Sequence, residues 1–494
     1  MITVISDGDK RELAYKRGQA LLDLLRQNGY YVTASCAGNG TCGKCKVKLI
    51  KGRVEGAIPD KNGEILSCKA ILCEDITILL NTEKGSGLDF FEKPQINGEK
   101  EGFGIALDVG TTTLGACLID LKSGEILKKT SALNPQCGYG ADVLNRIKAA
   151  DEGHLNELQS IILQKTRQII DLLADGRAIE ELTVSANTTM LHLFLGASPH
   201  SIGEYPFTPL FTDEQAVDGK ALGLPVKRVR TLPSASAFIG SDVTAGILAC
   251  RLNEDERTKL FVDVGTNGEI VLFHGGNLYA TSTAAGPALE GATIDCGLGG
   301  INGAIDGFSL KNGNLSYTTV NNQTAKGICG SGLIDLIAIL VKEGLIDEYG
   351  GWNENADTPL KSSLKGDRFF ISEDIYLSQR DIRRFQLAKA AVCAGIETLL
   401  AECNVDLNQI EVAYIAGGLG FYMNAQNATV SGLLPKELLN AIKTVGNTSL
   451  AGAALCLTNE ASLTKIKALA SEIKIVELAF SPLFQELYVE KMTF

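Results

Sequence analysis

The stretch GIALDVGTTTLGACLID at residues 104–120 returns in altered form as KLFVDVGTNGEIVLF at 259–273. Each copy is an apolar run, then Asp-Val-Gly-Thr, then a second apolar run, which reads as strand, tight turn, strand. Asp108 and Asp263 are 155 residues apart, and that separation predicts two similar lobes joined near residue 258. From Phe103 to the end, apolar strands alternate with helical stretches, the pattern of an α/β architecture. A helix is expected over about 379–402. It opens with Ser378-x-x-Asp381, whose hydroxyl and carboxylate can satisfy backbone N–H groups left free in a first turn. A later strand ends in a third Gly-rich turn, AYIAGGLG, at Gly417, Gly418 and Gly420.

These turns suit phosphate chemistry. Asp108-Val109-Gly110-Thr111-Thr112-Thr113 is neither a Walker A loop nor a Rossmann turn, because a strand follows it instead of a helix. Glycine lets backbone N–H groups approach a phosphate, threonine hydroxyls donate to its oxygens, and a carboxylate at the strand end can hold Mg²⁺ through water. The second copy offers Asp263, Gly265, Thr266, Asn267 and Gly268. One such turn alone is more often an ordinary hairpin. Two copies and a later strand–Gly-Gly turn resemble the superfamily of ATP-binding proteins that contains actin, hexokinase and the heat-shock chaperones. The resemblance implies that Asp108 and Asp263 are catalytic carboxylates and that Gly110, Thr111, Thr112, Thr113, Gly265, Thr266, Asn267 and Gly268 meet ATP and Mg²⁺. It also places Gly417 and Gly418 beside adenosine, with strand–helix packing as the alternative. The run GICGSG, Gly327 to Gly332, adds Gly330 and Ser331 as a phosphate cradle at a helix start; an N-cap by Ser331 is the alternative. Lys389, on the 379–402 helix, is read as facing the nucleotide, with a solvated helix face as the alternative. Asn187 and Thr188, in SANTTM, are read as cleft-lining or as cap and turn residues.

Residues 1–81 have a different texture and predict a small α+β unit. MITVIS, Cys45 to Ile50 and Ile76 to Leu80 read as strands, and Ala20 to Gln27 as one amphipathic helix stopped at Asn28-Gly29. Residues 82–101, mostly polar and rich in Gly and Lys, read as a linker. The remaining boundaries expected are a first lobe over 102–258 and a second over 259–494. The N-terminal unit carries CAGNGTCGKC, which sets Cys36, Cys42 and Cys45 in a C-x5-C-x2-C spacing, and Cys68 follows in EILSCKA. Four thiolates, three on one Gly-rich loop and one distant, are the plant-type iron–sulfur pattern, with this loop one residue longer than the usual C-x4-C-x2-C. The small residues Gly38, Gly40 and Gly43 let the backbone wrap a cluster closely. A structural zinc site is the alternative. Cys73 competes for the fourth position; Cys68 is preferred because Cys73 leads directly into the next strand.

Composition narrows the class. A chain of 494 residues is too long for one core. Its net charge of −12, without a basic cluster, argues against nucleic acid. No apolar run reaches the roughly 18 residues of a membrane span, and MITVISDGDKRELAYKRG is too polar for a signal peptide, so a cytoplasmic protein with no membrane partner is expected. Thirteen cysteines in such a chain argue for a cofactor over a disulfide framework. The four histidines, His154, His192, His200 and His274, have no metalloprotease spacing.

Taken together, CAGNGTCGKC, LDVGTTTLGACLID, NPQCGYGADVLNRI, VSANTTMLHLFLG, LPSASAFIGSDVTAGIL, FVDVGTNGEI, AAGPALEGATIDCG, KGICGSGLIDLIA, DIRRFQLAKAAVCAGI, AGGLGFYMNAQNA and VGNTSLAGA resemble the reductive activators of corrinoid-dependent enzymes over about residues 36–453. The resemblance implies a [2Fe–2S] cluster on Cys36, Cys42, Cys45 and Cys68, an actin-like ATPase, and ATP-dependent return of a Co(II) corrinoid protein to Co(I). It implies an upstream low-potential electron donor, and a homodimer, which is common in the family. Two features depart from some relatives: a short linker stands where they carry an extra domain, and SPLFQELYVEKMTF has no cysteines for a C-terminal [4Fe–4S] cluster. Two other functions compete: an ATP-driven electron donor to another low-potential enzyme, and a non-redox small-molecule kinase with a zinc-stabilised appendage.

Overall fold

The computed structural model describes residues 1–6, 9–28, 30, 32, 40, 45–80, 100–417 and 423–494. Cys36, Cys42, Gly418 and residues 82–99 of the expected linker lie outside them. Among the described residues no helix is long and apolar enough to cross a membrane.

The N-terminal unit is a five-stranded sheet. Ile2–Ser6 pairs antiparallel with Asp9–Leu13 on one side and parallel with Ile76–Leu80 on the other. Lys46–Lys51 and then Glu64–Leu66 continue the sheet. Alternation in Ile76–Leu80 buries Ile76, Ile78 and Leu80, as the two-residue period of a half-covered strand requires. The helix Leu21–Gln27 closes that face with Leu21, Leu22, Leu24 and Leu25, and it ends at Asn28 as its sequence suggested.

The rest of the chain folds as two lobes with one topology. In the first lobe, Phe103–Val109, Thr113–Asp120 and Ile126–Leu133 form an antiparallel meander, and Ile179–Ala186 and Val226–Thr231 extend it in parallel beyond the first strand. In the second lobe, Lys259–Val264, Gly268–His274 and Asn277–Thr283 form the meander, and Val412–Ala416 and Ile442–Gly446 extend it in parallel. The Asp-Val-Gly-Thr turns therefore occupy equivalent places, each at the end of its lobe's first strand. Outer helices cover the far faces: Leu155–Ala174 on the first lobe, and Gly330–Lys342 and Gln379–Glu402 on the second. The last of these carries the expected capping box of Ser378 and Asp381.

Between the two sheets lie Ser241–Ala249 and Thr448–Thr458, the helix that follows the fifth strand of the meander-based order in each lobe. They share one core with Ala106, Cys117, Phe261 and Val271. Glycines let the helices approach closely, Gly452 against the other helix and Gly246 mainly against the second sheet. A Cβ on Gly246 would lie 2.5 Å from the Phe261 ring, and one on Gly452 would lie 2.3 Å from the Ala245 carbonyl oxygen. Backbone cannot yield as a flexible side chain can. Gly452→Ala should therefore destabilise the protein by about 2–3 kcal/mol through overpacking, a fall in thermal midpoint of roughly 4–12 °C, measurable by scanning calorimetry beside wild type.

Candidate functional site

The two repeated turns meet across the cleft between the lobes, around a cavity of ≈ 240 Å³. Asp108 ends the first strand of one lobe and is held by the other: Ser449 Oγ donates to its Oδ1 at 2.7 Å and Asn447 Nδ2 to its Oδ2 at 2.8 Å. Both donors stand at the start of the helix Thr448–Thr458, where Asn447 is also the N-cap. Asp263 ends the equivalent strand and faces Gly417, whose φ is +88° and where a Cβ would lie 2.5 Å from Asp263 Oδ1. Asp242 opens the helix Ser241–Ala249 and lines the same cavity. Each helix thus brings polar groups towards the turn of the opposite lobe. The sequence signal for this is a second repeat, GSDVTAG at 240–246 and GNTSLAG at 446–452, a spacing that the turn-based reading passes over.

The cavity is lined by six carboxylates, Asp108, Asp242, Asp263, Glu269, Glu290 and Asp306, and among the described residues by no lysine or arginine. Burial raises the Asp108 carboxyl, partly offset by Ser449 and Asn447. Burial, and then the nearby Asp108, bring Asp242 up to about 7. Burial followed by Asp242 and Asp108 brings Asp263 up to about 8, and burial pushes Glu269 well above its ordinary range. Desolvated carboxylates that repel one another favour either protons or a cation. Thr448 Oγ1, on a residue 4 % exposed, has no hydrogen-bond partner among the described residues and lies at the helix crossing, 3.0 Å from where a Cβ on Gly246 would stand. Behind the first turn sits the fully buried Arg146. Its guanidinium donates to the carbonyl oxygens of Thr111 and Gly140, to Gln136 and to the Met190 sulfur, all neutral acceptors. Burial lowers it to about 10, so it stays cationic at neutral pH and adds positive potential behind the Thr111 backbone.

Most of the residues picked from the sequence converge here. Gly110, Thr111, Thr112, Thr113, Gly265, Thr266, Asn267, Gly330, Ser331 and Gly417 all line the cavity. Thr111 Oγ1 accepts from Asn187 Nδ2 at 3.2 Å, and Asn187 also caps the helix Thr188–Leu195. Thr188 instead donates to the Ser236 carbonyl oxygen at 2.6 Å. Ser331 is not an N-cap: Cys329 holds that place, and Ser331 Oγ donates to the Asp306 carbonyl oxygen at 2.7 Å.

Two expectations are corrected. Gly268 does not line the cavity; it begins a strand, and a Cβ there would lie 2.8 Å from Thr283 Oγ1, so its smallness serves strand packing. Lys389 does not face the cleft either. Its ammonium donates to the carbonyl oxygens of Lys491, at 2.7 Å, and Thr493, and lies 4.9 Å from the Phe494 ring centroid. Asp242, Glu269, Glu290, Asp306, Asn447 and Ser449 belong to the site and were not singled out from the sequence.

In the N-terminal unit, the register Lys46↔Leu66 sets Cys45 beside Cys68. Ser67 N and Ser67 Oγ both donate to the Cys45 carbonyl oxygen, at 2.8 and 2.9 Å, and the two sulfurs are 3.1 Å apart. Cys73 points elsewhere, with its thiol 3.5 Å from the Arg53 carbonyl oxygen. A close, stapled pair of thiols fits two ligands of one metal centre.

Comparison with known proteins covers both parts. A family model for the 2Fe-2S iron–sulfur cluster binding domain matches residues 4–73, one for the RACo middle region matches 103–255, and one for the C-terminal domain of RACo, the ASKHA domain, matches 257–494. Corrinoid activation enzyme RamQ of Eubacterium limosum is 34 % identical over 433 residues, 82 % of this chain and 72 % of that protein. The Co(II) methylated amine-specific corrinoid protein reductase of Methanosarcina barkeri is 24 % identical over 440 residues, 79 % of this chain and 77 % of that one. A solved structure of a reductive activator for corrinoid, iron–sulfur protein superposes with a TM-score of 0.76 at 27 % identity, covering 100 % of this chain and 98 % of that one. The 2Fe-2S match favours iron–sulfur over zinc.

The raised carboxyls give a pH dependence with a definite sign. Asp242 and Asp263 shift from 3.8 to about 7 and about 8 on folding, so their contribution to stability is fully present below about pH 4 and is lost as pH rises through 7 and 8. A divalent cation must displace those protons, so its stabilising effect grows over the same interval. Addition of Mg²⁺ should raise the thermal midpoint more at about pH 9 than at about pH 6, and Asp263→Asn should diminish that difference.

Proposed function

The chain belongs to the RACo family of reductive activators, and from that premise we propose that it delivers one electron from a [2Fe–2S] cluster to the Co(II) form of a corrinoid protein, with ATP in the two-lobed cleft biasing the step. The observation that carries this reading is the presence, in one chain, of a paired-cysteine site in the N-terminal sheet and a carboxylate-lined cleft between two matched lobes. Cys36, Cys42, Cys45 and Cys68 would hold the cluster, which supplies a one-electron carrier when bound.

In the cleft, Asp108, Asp242, Asp263 and Glu269 are placed to hold Mg²⁺, directly or through water. An ATP phosphate chain carries several negative charges and would be repelled by six carboxylates; Mg²⁺ supplies the missing positive charge. Thr111, Thr112 and Thr266 would donate to phosphate oxygens. Gly417, together with Gly418, would let adenosine lie against the backbone.

The energetic problem is reaching Co(I). Plant-type clusters have potentials near about −400 mV, and each roughly 59 mV uphill costs a factor of ten in a one-electron equilibrium. ATP helps only through unequal affinity for two protein states. Closure of the lobes on ATP is the natural candidate, because both cleft-lining helices belong to the inter-lobe core. The closed surface would displace an axial ligand from Co(II), leaving the metal easier to reduce. An upstream low-potential donor then reloads the cluster.

The protein, purified without oxygen, should be mixed with a Co(II) corrinoid protein and a chemical reductant, and the Co(I) absorbance followed with and without Mg-ATP. Co(I) that appears at least tenfold faster with Mg-ATP is the expected result; equal rates in both arms remove the ATP-dependent role. Separately, Cys68→Ser should abolish or shift the visible absorption and the EPR signal of the reduced cluster, while Cys73→Ser should leave both at wild type.

A further inference from the structure

One carboxylate of the cleft is held differently from the others. Glu290 lies on the segment AAGPALEG, between the buried Leu289 and Gly291. Gly291 has φ +75°, and a Cβ there would lie 2.3 Å from the Leu298 carbonyl oxygen, so this turn is built for glycine and fixes where Glu290 emerges. Its Oε2 accepts two hydroxyl hydrogen bonds, from Thr112 at 2.8 Å and from Thr266 at 2.5 Å. Those threonines come from the two different repeated turns, one in each lobe. The other cleft carboxylates are not shared in this way: Asp108 is satisfied by Asn447 and Ser449, and Asp306 accepts from Thr318.

We propose that Glu290 is a terminal-phosphate sensor, an internal anion that clasps the two phosphate turns through Thr112 and Thr266 and is displaced when a nucleoside triphosphate brings its last phosphate to the same two hydroxyls. The inference rests on the reading of the cleft as an ATP site. A hydroxyl has one proton to donate, so each threonine serves either the carboxylate or the phosphate, never both. Hydrogen bonds to an ionised acceptor are about twice as strong as neutral ones, so the exchange sets one charged acceptor against another. A diphosphate lacks the competing group and leaves the clasp closed. The clasp joins the two lobes directly, and a terminal phosphate that takes over both threonines keeps them joined through the nucleotide, so lobe closure responds to the length of the phosphate chain, the difference between ATP and ADP that a nucleotide-driven cycle has to detect.

The test is the ratio of ATP to ADP affinity, measured by titration calorimetry with Mg²⁺ on the full-length protein, for wild type, Glu290→Gln, Glu290→Ala and Asp306→Asn. Glu290→Gln keeps the shape and guards against a folding failure of Glu290→Ala. Asp306→Asn removes an equal charge from the cavity without touching either threonine. Glu290→Ala should bind Mg-ATP about tenfold more tightly, equivalent to about 1.4 kcal/mol, with Mg-ADP affinity within about twofold of wild type. Glu290→Gln should change the ratio in the same direction, and Asp306→Asn should leave it at the wild-type value. A fall in Mg-ATP affinity in the Glu290 variants would make Glu290 a metal ligand and overturn the clasp. Equal changes for both nucleotides would reduce it to general charge repulsion, and unchanged binding with lost ATP turnover would make it a water-positioning base; either overturns it too. Wild-type protein that bound neither nucleotide would remove the ATP reading itself, an outcome distinct from wild-type binding with no change of ratio in the variants.

Discussion

The close crossing of Ser241–Ala249 and Thr448–Thr458 is the constraint on which the cleft depends. With Gly246 against Phe261 and Gly452 against the Ala245 carbonyl, the helices approach near enough for the two lobes to share one core. That proximity lets Ser449 and Asn447 reach Asp108 in the other lobe, and it sets Asp242 close enough to raise the proton affinity of Asp263 while Asp108 raises that of Asp242. A side chain at Gly452 would push the helices apart, one at Gly246 would push its helix off the Phe261 ring, and either displacement would loosen the carboxylate cluster. Packing and site chemistry are here one problem. A change far from any ligand, in the middle of a helix, acts on the cleft through geometry alone.

The electrostatic character of the cleft follows from that packing. Burial strips water from Asp108, Asp242, Asp263 and Glu269 at once, and among the described residues none has a basic side chain beside it in the cavity lining. Many phosphate sites use lysine or arginine for direct contact; here a buried cation, Arg146, stands behind the backbone of Thr111. On the proposed nucleotide reading, direct contact with phosphates would therefore fall to hydroxyls, backbone and a metal ion, with the carboxylates serving the metal. A site of that charge would hold a metal–nucleotide complex better than either component alone, because each would supply the charge that the other needs.

The repeat of Asp-Val-Gly-Thr was legible because both copies do the same local job, ending a first strand in a tight turn, and like jobs keep like residues. The second repeat was harder to read. GSDVTAG and GNTSLAG keep the small residues demanded at the helix crossing, but their polar positions differ because one faces Asp263 and the other holds Asp108. Lys389 misled for another reason: its partners are the carbonyls of Lys491 and Thr493 and the Phe494 ring, about a hundred residues away, and no local pattern announces them. Gly268 looked like part of a phosphate turn and is required by a neighbouring strand. Chain direction favours Cys68 over Cys73 as the fourth ligand; the closeness of Cys45 and Cys68 comes from a register, Lys46↔Leu66, which the spacing of cysteines alone does not contain.

The attachment of the N-terminal unit completes the argument. Arg26 of that unit donates to the Gly138 carbonyl and lies 4.9 Å from the Tyr139 ring centroid, both in the first lobe. Lys61 pairs with Asp374 in the second lobe. The Lys61 pair is exposed on both sides, and exposed ion pairs contribute only about 0–1 kcal/mol. A lobe rotation that moved residue 138 relative to residue 374 could not preserve both contacts with a rigid N-terminal unit, and the exposed ion pair is the cheaper of the two to break. The N-terminal unit thus touches each half of the cleft, and its contact with the second lobe is weak enough to exchange. Nucleotide occupancy can then act on the unit's position at low cost, without any change inside its own core of Ile2, Val4, Leu21 and Ile78.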